Sequence, residues 1–221
     1  MNDFMTSLVL QAFRKMVEAK DRNGGQKLLF PQKRDGLCRY SEQEFKQMFI
    51  EVFCQSIDTK GLKYSVETPT RKKYSSKGAK FSIDPNGISG NLDLCIHQKG
   101  SDGKWQRLHA IELKANNVDV WKDLVKLAEE LKANDSSREN YFIQVLYTAD
   151  KGTLNSLHQK YDGYKEELKR LHLPTEGIVV YLLYAGGVKK ICDEPCYSQF
   201  KLEAGFGEEL LPYQKSDEAC R

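Results

Sequence analysis

Two segments decide the fold: Asn91-Leu92-Asp93-Leu94-Cys95-Ile96-His97 and Leu108-His109-Ala110-Ile111-Glu112-Leu113-Lys114. Apolar and polar residues alternate in both, which is the period-2 pattern of half-buried strands. Asp102-Gly103 lies between them and favours a hairpin with a two-residue turn. The register that opposes Ser101 to Lys104 also opposes Asp93 to Glu112, with Lys114 as the diagonal neighbour.

Two opposed carboxylates need a compensating cation, because like charges directly across a sheet destabilise it. Oxygen ligands suit a divalent metal, and Lys114 adds a further positive charge beside them. Cys95 and Ala110 share the predicted face, which favours a partly enclosed site. Two alternatives stay open: an amphipathic hairpin with charges on its wet face, or an odd-length loop that moves Asp93 off Glu112.

Asp93 followed by Glu112-Leu113-Lys114 resembles the signature of the PD-(D/E)xK nuclease superfamily, which includes restriction endonucleases, Holliday-junction resolvases and repair nucleases. The glycine-containing segment Gly87-Ile88-Ser89-Gly90 precedes this aspartate. The resemblance implies a metal-dependent nuclease, an endonuclease acting on DNA rather than RNA. It also implies Mg²⁺, or Mn²⁺ as a substitute, held by Asp93, Glu112 and the carbonyl of Leu113. Catalysis would then rest on Asp93, Glu112 and Lys114.

Glu42 is a further candidate metal ligand, since related nucleases often use a glutamate from the corresponding helix. A first-turn glutamate favoured by the helix dipole is the alternative. Two features depart from the family. The helix after Glu112 has no glutamine, so the Q-x-x-x-Y motif of the RecB-like branch is absent. The proline that often precedes the family's aspartate is also absent, since Pro85 lies eight residues before Asp93.

The periodicity elsewhere predicts an α/β fold with a restriction-endonuclease-like core, in which helices flank a central mixed β-sheet. A capping box at Ser41-Glu42-Gln43-Glu44 starts one of the helices. We predict a single nuclease-like domain, 1–221, divided into a helical appendage 1–40, a core 41–187 and a C-terminal extension 188–221. The predicted helices are 2–20, 42–58, 119–133 and 153–171, and the further strands are 63–67, 79–83, 141–147 and 178–184.

The formal net charge is only +3, so bulk charge does not indicate nucleic-acid binding. A local basic segment does, because residues 71–77 carry four positive charges and no negative one. We predict a loop there that contacts the phosphate backbone through Arg71, Lys72, Lys73 and Lys77. A merely solvated loop is the alternative.

Composition sets the remaining expectations, with 40% hydrophobic and 29% charged residues as in an ordinary globular protein. No apolar run is long enough for a membrane span, and no secretory signal is recognisable, so we expect a cytoplasmic protein without a membrane partner. The six cysteines lack zinc-site spacing. A homodimer is left open, as is a non-catalytic module for nucleic-acid binding or protein interaction that retains the nuclease fold.

Overall fold

The computed structural model describes residues 3–21, 41–77, 80–133, 138–146, 151–184, 196–201 and 211–212. These residues form four α-helices, a short 3-10 helix at Ile57–Thr59 and eight strands. The helices are α1 Asp3–Asp21, α2 Glu42–Gln55, α3 Trp121–Lys132 and α4 Lys151–Arg170. The strands are β1 Leu62–Lys77, β2 Lys80–Ile83, β3 Ile88–Lys99, β4 Trp105–Ala115, β5 Asn140–Leu146, β6 Ile178–Tyr184, β7 Cys196–Lys201 and β8 Leu211–Pro212.

All eight strands belong to one mixed sheet, in the order β2-β1-β3-β4-β5-β6-β7-β8. β4, β5 and β6 are parallel, because α3 and α4 provide the crossovers between them. The remaining pairs are antiparallel. Every residue of β5 and β6 is buried, as expected for parallel strands covered on both faces. The predicted α/β fold with a mixed sheet flanked by helices is therefore confirmed.

Two apolar cores lie on opposite faces of the sheet. One joins α1 and α2 to the side chains of Leu94, Ile111 and Leu113. The other joins α3 and α4 to Leu92, Cys95 and Ala110. The helix predicted as an appendage, α1, contributes Met5, Leu8, Val9, Ala12, Phe13 and Met16 to the first core. Within the predicted C-terminal extension, β7 continues the sheet beside β6.

Local sequence signals fix the start of α2. The Ser41 amide donates to Glu44 Oε2 at 2.8 Å, and Ser41 Oγ accepts from the Gln43 amide at 3.3 Å. This is the predicted capping box. The helix ends at Gln55, earlier than the predicted residue 58, because Ser56 adopts an extended conformation before the short 3-10 turn.

The predicted basic loop is wrong. Residues 71–77 belong to the 16-residue strand β1, which pairs with β2 on one side and β3 on the other. Arg71 is turned toward α3, where its Nε lies 3.6 Å from Glu130 Oε2. Lys72 and Lys73 are exposed, and the side chain of Lys77 lies outside the described residues. Arg71, Lys72 and Lys73 are consecutive exposed residues between buried Thr70 and Tyr74, where the pairing of β1 with β3 is irregular.

The predicted two-residue turn of the β3–β4 hairpin is also wrong, although the predicted register holds at Leu94–Ile111, Cys95–Ala110 and Ile96–His109. The Gly100 amide donates to the Lys104 carbonyl at 2.8 Å, which leaves a three-residue loop, 101–103. Gly103 takes the left-handed conformation typical of such loops, with φ 76°. An irregularity in pairing between His97–Arg107 and Ile96–His109 then restores the register.

Among the described residues, none of the helices combines the length and apolar character needed to cross a membrane.

Candidate active site

The candidate site lies where β3 separates from β4. Leu94 and Ile111 are the last paired residues of the two strands, so Asp93 and Glu112 are the next residue on each. Asp93 bridges the gap, because its Oδ2 accepts a hydrogen bond of 2.8 Å from the Leu113 amide. A residue's N–H and C=O face the same neighbouring strand, so the Leu113 carbonyl is also directed toward β3.

The regular alternation of β3 ends at Asp93. Leu92 packs in the α3–α4 core while Leu94 packs in the α1–α2 core, although residues two apart in a strand normally share a face. On the neighbouring strand β1, Glu67 lies between the residues paired with these two leucines. Its φ angle is 47°. This left-handed conformation is costly for a residue other than glycine, and such strain is frequent at functional sites.

Glu112 is 1% exposed and points toward α3. Its Oε1 lies 2.6 Å from Lys126 Nζ, which makes a buried ion pair. Burial raises the pKa of Glu112 well above its ordinary value, and the neighbouring Asp123 and Asp93 carboxylates raise it further, against the opposing effect of Lys126. The fold thus holds Glu112 where its ionised form is disfavoured unless a cation lies beside it.

Lys114 lies between Glu42 and Asp123. Its Nζ is 3.4 Å from Asp123 Oδ2 and 3.9 Å from Glu42 Oε2. Burial alone would lower the pKa of Lys114, but Asp123, Glu42 and Asp93 outweigh it and leave the pKa raised. Lys114 is therefore a cation at neutral pH in the metal-free protein.

Glu42, at the start of α2, is brought to the same group of side chains. Burial raises its pKa, and Asp93 and Asp123 add to the effect while Lys114 opposes it. One turn further along α2, Lys46 is buried, with its Nζ 2.7 Å from Glu67 and 3.5 Å from Asp93. Thus α2 on one side of the sheet and α3 on the other both place charged side chains near the gap between β3 and β4.

Sequence reasoning missed Lys46, Asp123 and Lys126. A signal existed for the last two, because Asp123, Lys126 and Glu130 have the i, i+3, i+7 spacing of one helical stripe. That stripe lies beside the apolar one and faces the sheet: Glu130 is 1% exposed, and Asp123 and Lys126 contact Glu112 or each other. A charged stripe adjoining an apolar stripe therefore marked the site.

The donor set fits Mg²⁺ in its chemistry. Mg²⁺ commonly binds through one or two carboxylates and keeps several waters, and Asp93 and Glu112 supply two carboxylates. The buried Oε1 of Glu112 has a single charged partner among the described residues, the mobile ammonium of Lys126. In the part of the chain that the structure describes, no three acidic, histidine or cysteine side chains converge as a ready metal cage. Lysine ammonium groups lie among the carboxylates instead.

Comparisons with known proteins identify no family. No protein-family model and no curated protein match the chain. Among solved structures it is similar to the central domain of yeast acetyl-CoA carboxylase, with 10% sequence identity and a TM-score of 0.30. The alignment covers 89% of this chain and 34% of the other, so the chain spans about a third of that structure. A similarity this low supports no inference about fold or function.

Proposed function

We propose that this protein is a metal-dependent endonuclease that hydrolyses phosphodiester bonds in DNA by means of Mg²⁺, within a restriction-endonuclease-like core. The observation that carries the proposal is the hydrogen bond from the Leu113 amide to Asp93 Oδ2. It ties the single aspartate on β3 to the middle residue of Glu112-Leu113-Lys114 on β4. A solvated hairpin with charges on its wet face would not bury Glu112.

Asp93 and Glu112 are the residues that would hold the metal, with the Leu113 carbonyl as a third oxygen and Glu42 as a further candidate. When bound, the metal polarises the scissile phosphate and lowers the pKa of a water molecule. Mn²⁺ is the expected substitute because it takes the same oxygen ligands. The backbone of Leu113 and the carboxylate of Asp93 keep each other in place through their hydrogen bond.

Lys114 would stabilise negative charge on the phosphate. Its raised pKa keeps the ammonium protonated, which suits a charge-stabilising role better than removal of a proton from water. Asp123 and Glu42 position the ammonium between α2 and α3. If Glu42 also held the metal, its attraction for Lys114 would weaken, and the ammonium would be freer to approach the phosphate.

The preference for DNA rests on the enzymes that the signature resembles. Of the four basic residues first considered, Lys72 and Lys73 are exposed and Lys77 remains a candidate, whereas Arg71 is engaged with Glu130. Exposed lysines on β1 would contact phosphates and contribute affinity without sequence information. Any binding through them is expected to weaken as salt rises.

Cleavage assays test the proposal. Purified wild type, Lys114→Ala and Lys99→Ala would be incubated with plasmid, linear duplex, single-stranded DNA and RNA in Mg²⁺, Mn²⁺ or EDTA. Lys99 is an exposed lysine at the opposite end of the same hairpin and serves as the matched control. We expect metal-dependent cutting of DNA that Lys114→Ala lowers by about a hundredfold or more and Lys99→Ala leaves intact.

Cutting that persists in EDTA, or that survives Lys114→Ala unchanged, would contradict the proposed mechanism. If no substrate is cut but DNA is still retained in a salt-dependent manner, the non-catalytic binding module is the better description. Cutting of RNA alone would overturn the proposed substrate.

A further inference from the structure

Two carboxylates of the site share one ammonium group. Lys126 Nζ lies 2.6 Å from Glu112 Oε1 and 2.9 Å from Asp123 Oδ1. The side chains of all three residues are at most 12% exposed. Lys126 is therefore the cation that balances Glu112 in the metal-free protein.

The other lysines of the site are held elsewhere. Lys114 lies 3.4 Å from Asp123 Oδ2 and extends toward Glu42. Lys46 makes its closest ion pair with Glu67, at 2.7 Å, on the far side of Asp93. Only Lys126, among the described lysines, forms an ion pair with Glu112.

Lys126 also has a hydrogen-bond partner other than the two carboxylates. Its Nζ donates a hydrogen bond of 2.9 Å to the carbonyl of Asn91, an exposed residue at the surface end of the gap. Its stem passes over Gly90, where a Cβ would come within 3.2 Å of Lys126 Cδ. The Asn91 carbonyl would remain a partner of the ammonium if the ammonium moved away from Glu112.

We propose that Lys126 is an internal cation that occupies the metal side of Glu112 and must withdraw when a divalent metal binds. This rests on the proposed function, since it concerns the metal of that same site. It makes Lys126 a positioning residue that holds the Glu112 side chain in place without metal and competes with the metal for it. Metal affinity is then set partly by a lysine that no nuclease motif in the sequence contains.

Direct measurement of metal binding tests the competition. Calorimetric titration of Mn²⁺ into wild type, Lys126→Met and Lys46→Met would give the three dissociation constants without any substrate. We expect Lys126→Met to bind Mn²⁺ about tenfold more tightly or better, equivalent to about 1.4 kcal/mol. Lys46→Met removes the same charge from the other side of Asp93, and we expect a much smaller change.

Three results would overturn the inference. Equal or weaker binding by Lys126→Met would show that Lys126 does not compete with the metal, and the proposed nuclease would stand without it. An equal gain in Lys46→Met would show a general effect of charge. Absence of Mn²⁺ binding to all three proteins would refute the metal site itself, and with it both proposals.

A measurement on the wild type keeps the inference testable if Lys126→Met does not fold. Lysine acetylation, quantified residue by residue by mass spectrometry, would be compared with and without saturating Mn²⁺. We expect Lys126 to become several-fold more reactive with Mn²⁺, because the ammonium leaves its carboxylate partners, while exposed Lys99 keeps its reactivity. Unchanged or reduced reactivity of Lys126 would overturn the proposal.

Discussion

Two buried glutamates lie between α3 and the sheet, Glu130 on the helix and Glu112 on β4, and their surroundings differ. Glu112 and Glu130 are each 1% exposed. Glu130 forms ion pairs with Arg107 and Arg71, and it accepts a hydrogen bond of 2.8 Å from the Arg71 amide. Among the described residues, Glu112 has one ion-pair partner, Lys126, which it shares with Asp123.

The difference separates a structural ion cluster from a reactive one. Arginine is always charged and offers a rigid planar set of donors, so it suits a permanent buried pair. Lysine is a mobile point charge on a flexible stem, which suits a contact that must change. Arg107 further donates to the Pro69 carbonyl at 3.0 Å, so the Glu130 cluster also ties β4 to β1. A glutamate held by two arginines and a backbone amide stabilises the fold, whereas one that shares a single lysine is better placed to accept another cation.

The largest expected effect falls on the Glu130 cluster. Arg107→Met would leave Glu130 buried with only the more exposed Arg71 as a charged side-chain partner. We expect unfolding free energy to fall by about 3 to 5 kcal/mol, the usual cost of leaving a buried charge without its partner. Urea denaturation at neutral pH would measure it.

Arg170→Met is the control for Arg107→Met, because Arg170 also pairs with a glutamate but is 73% exposed. We expect less than about 1 kcal/mol from it. Equal losses in the two variants would show that the Glu130 cluster is no more structural than a surface ion pair.

The Glu112 cluster should respond to pH instead. The raised pKa of Glu112 means that the folded protein binds more protons at this carboxyl than the unfolded chain does. Its contribution to stability is therefore greatest below the ordinary value of 4.5 and declines as pH rises toward the folded pKa. Glu112→Gln removes this decline, so the variant should gain stability relative to wild type as pH increases.

Denaturation in EDTA at several pH values between about 4 and 8 would test the Glu112 prediction. Glu130→Gln is the matched control: it also neutralises a buried glutamate, but it strands Arg107 and should be less stable than wild type near neutral pH. A constant difference between Glu112→Gln and wild type across the range would contradict the raised pKa.

The β3–β4 hairpin shows which features a local sequence pattern can predict. The pairs Leu94–Ile111, Cys95–Ala110 and Ile96–His109 have the predicted register, but that register was predicted from a two-residue turn that the structure does not have. A three-residue loop and a pairing irregularity near Leu108 offset each other. The irregularity also turns Arg107 to the α3 side, where it reaches Glu130. Sequence periodicity predicts which face of the sheet a residue lies on. It does not show where the strand pairing contains an extra residue.

The ion clusters depend on packing between distant elements, which explains what was missed. Residues 71–77 were predicted to be a basic loop because charge density suggested exposure. The long strand β1 instead directs Arg71 to a glutamate 59 positions later. Lys46 and Lys126 come from helices on opposite sides of the sheet. No spacing within one segment brings them together; only the α/β/α layering does.

The smallest expected effect distinguishes the two arginines that bind Glu130. Arg71 Nε is 3.6 Å from Glu130 Oε2 and its side chain is 36% exposed, whereas that of Arg107 is 10% exposed. The strongest link from Arg71 to Glu130 is the backbone amide, which no side-chain substitution removes. We expect Arg71→Met to cost less than about 1 kcal/mol in urea denaturation, since solvent screens a half-exposed pair. A loss as large as that of Arg107→Met would mean that Glu130 needs both guanidinium groups. The contrast with Glu112, which is balanced by a single shared lysine, would then be sharper than the distances alone suggest.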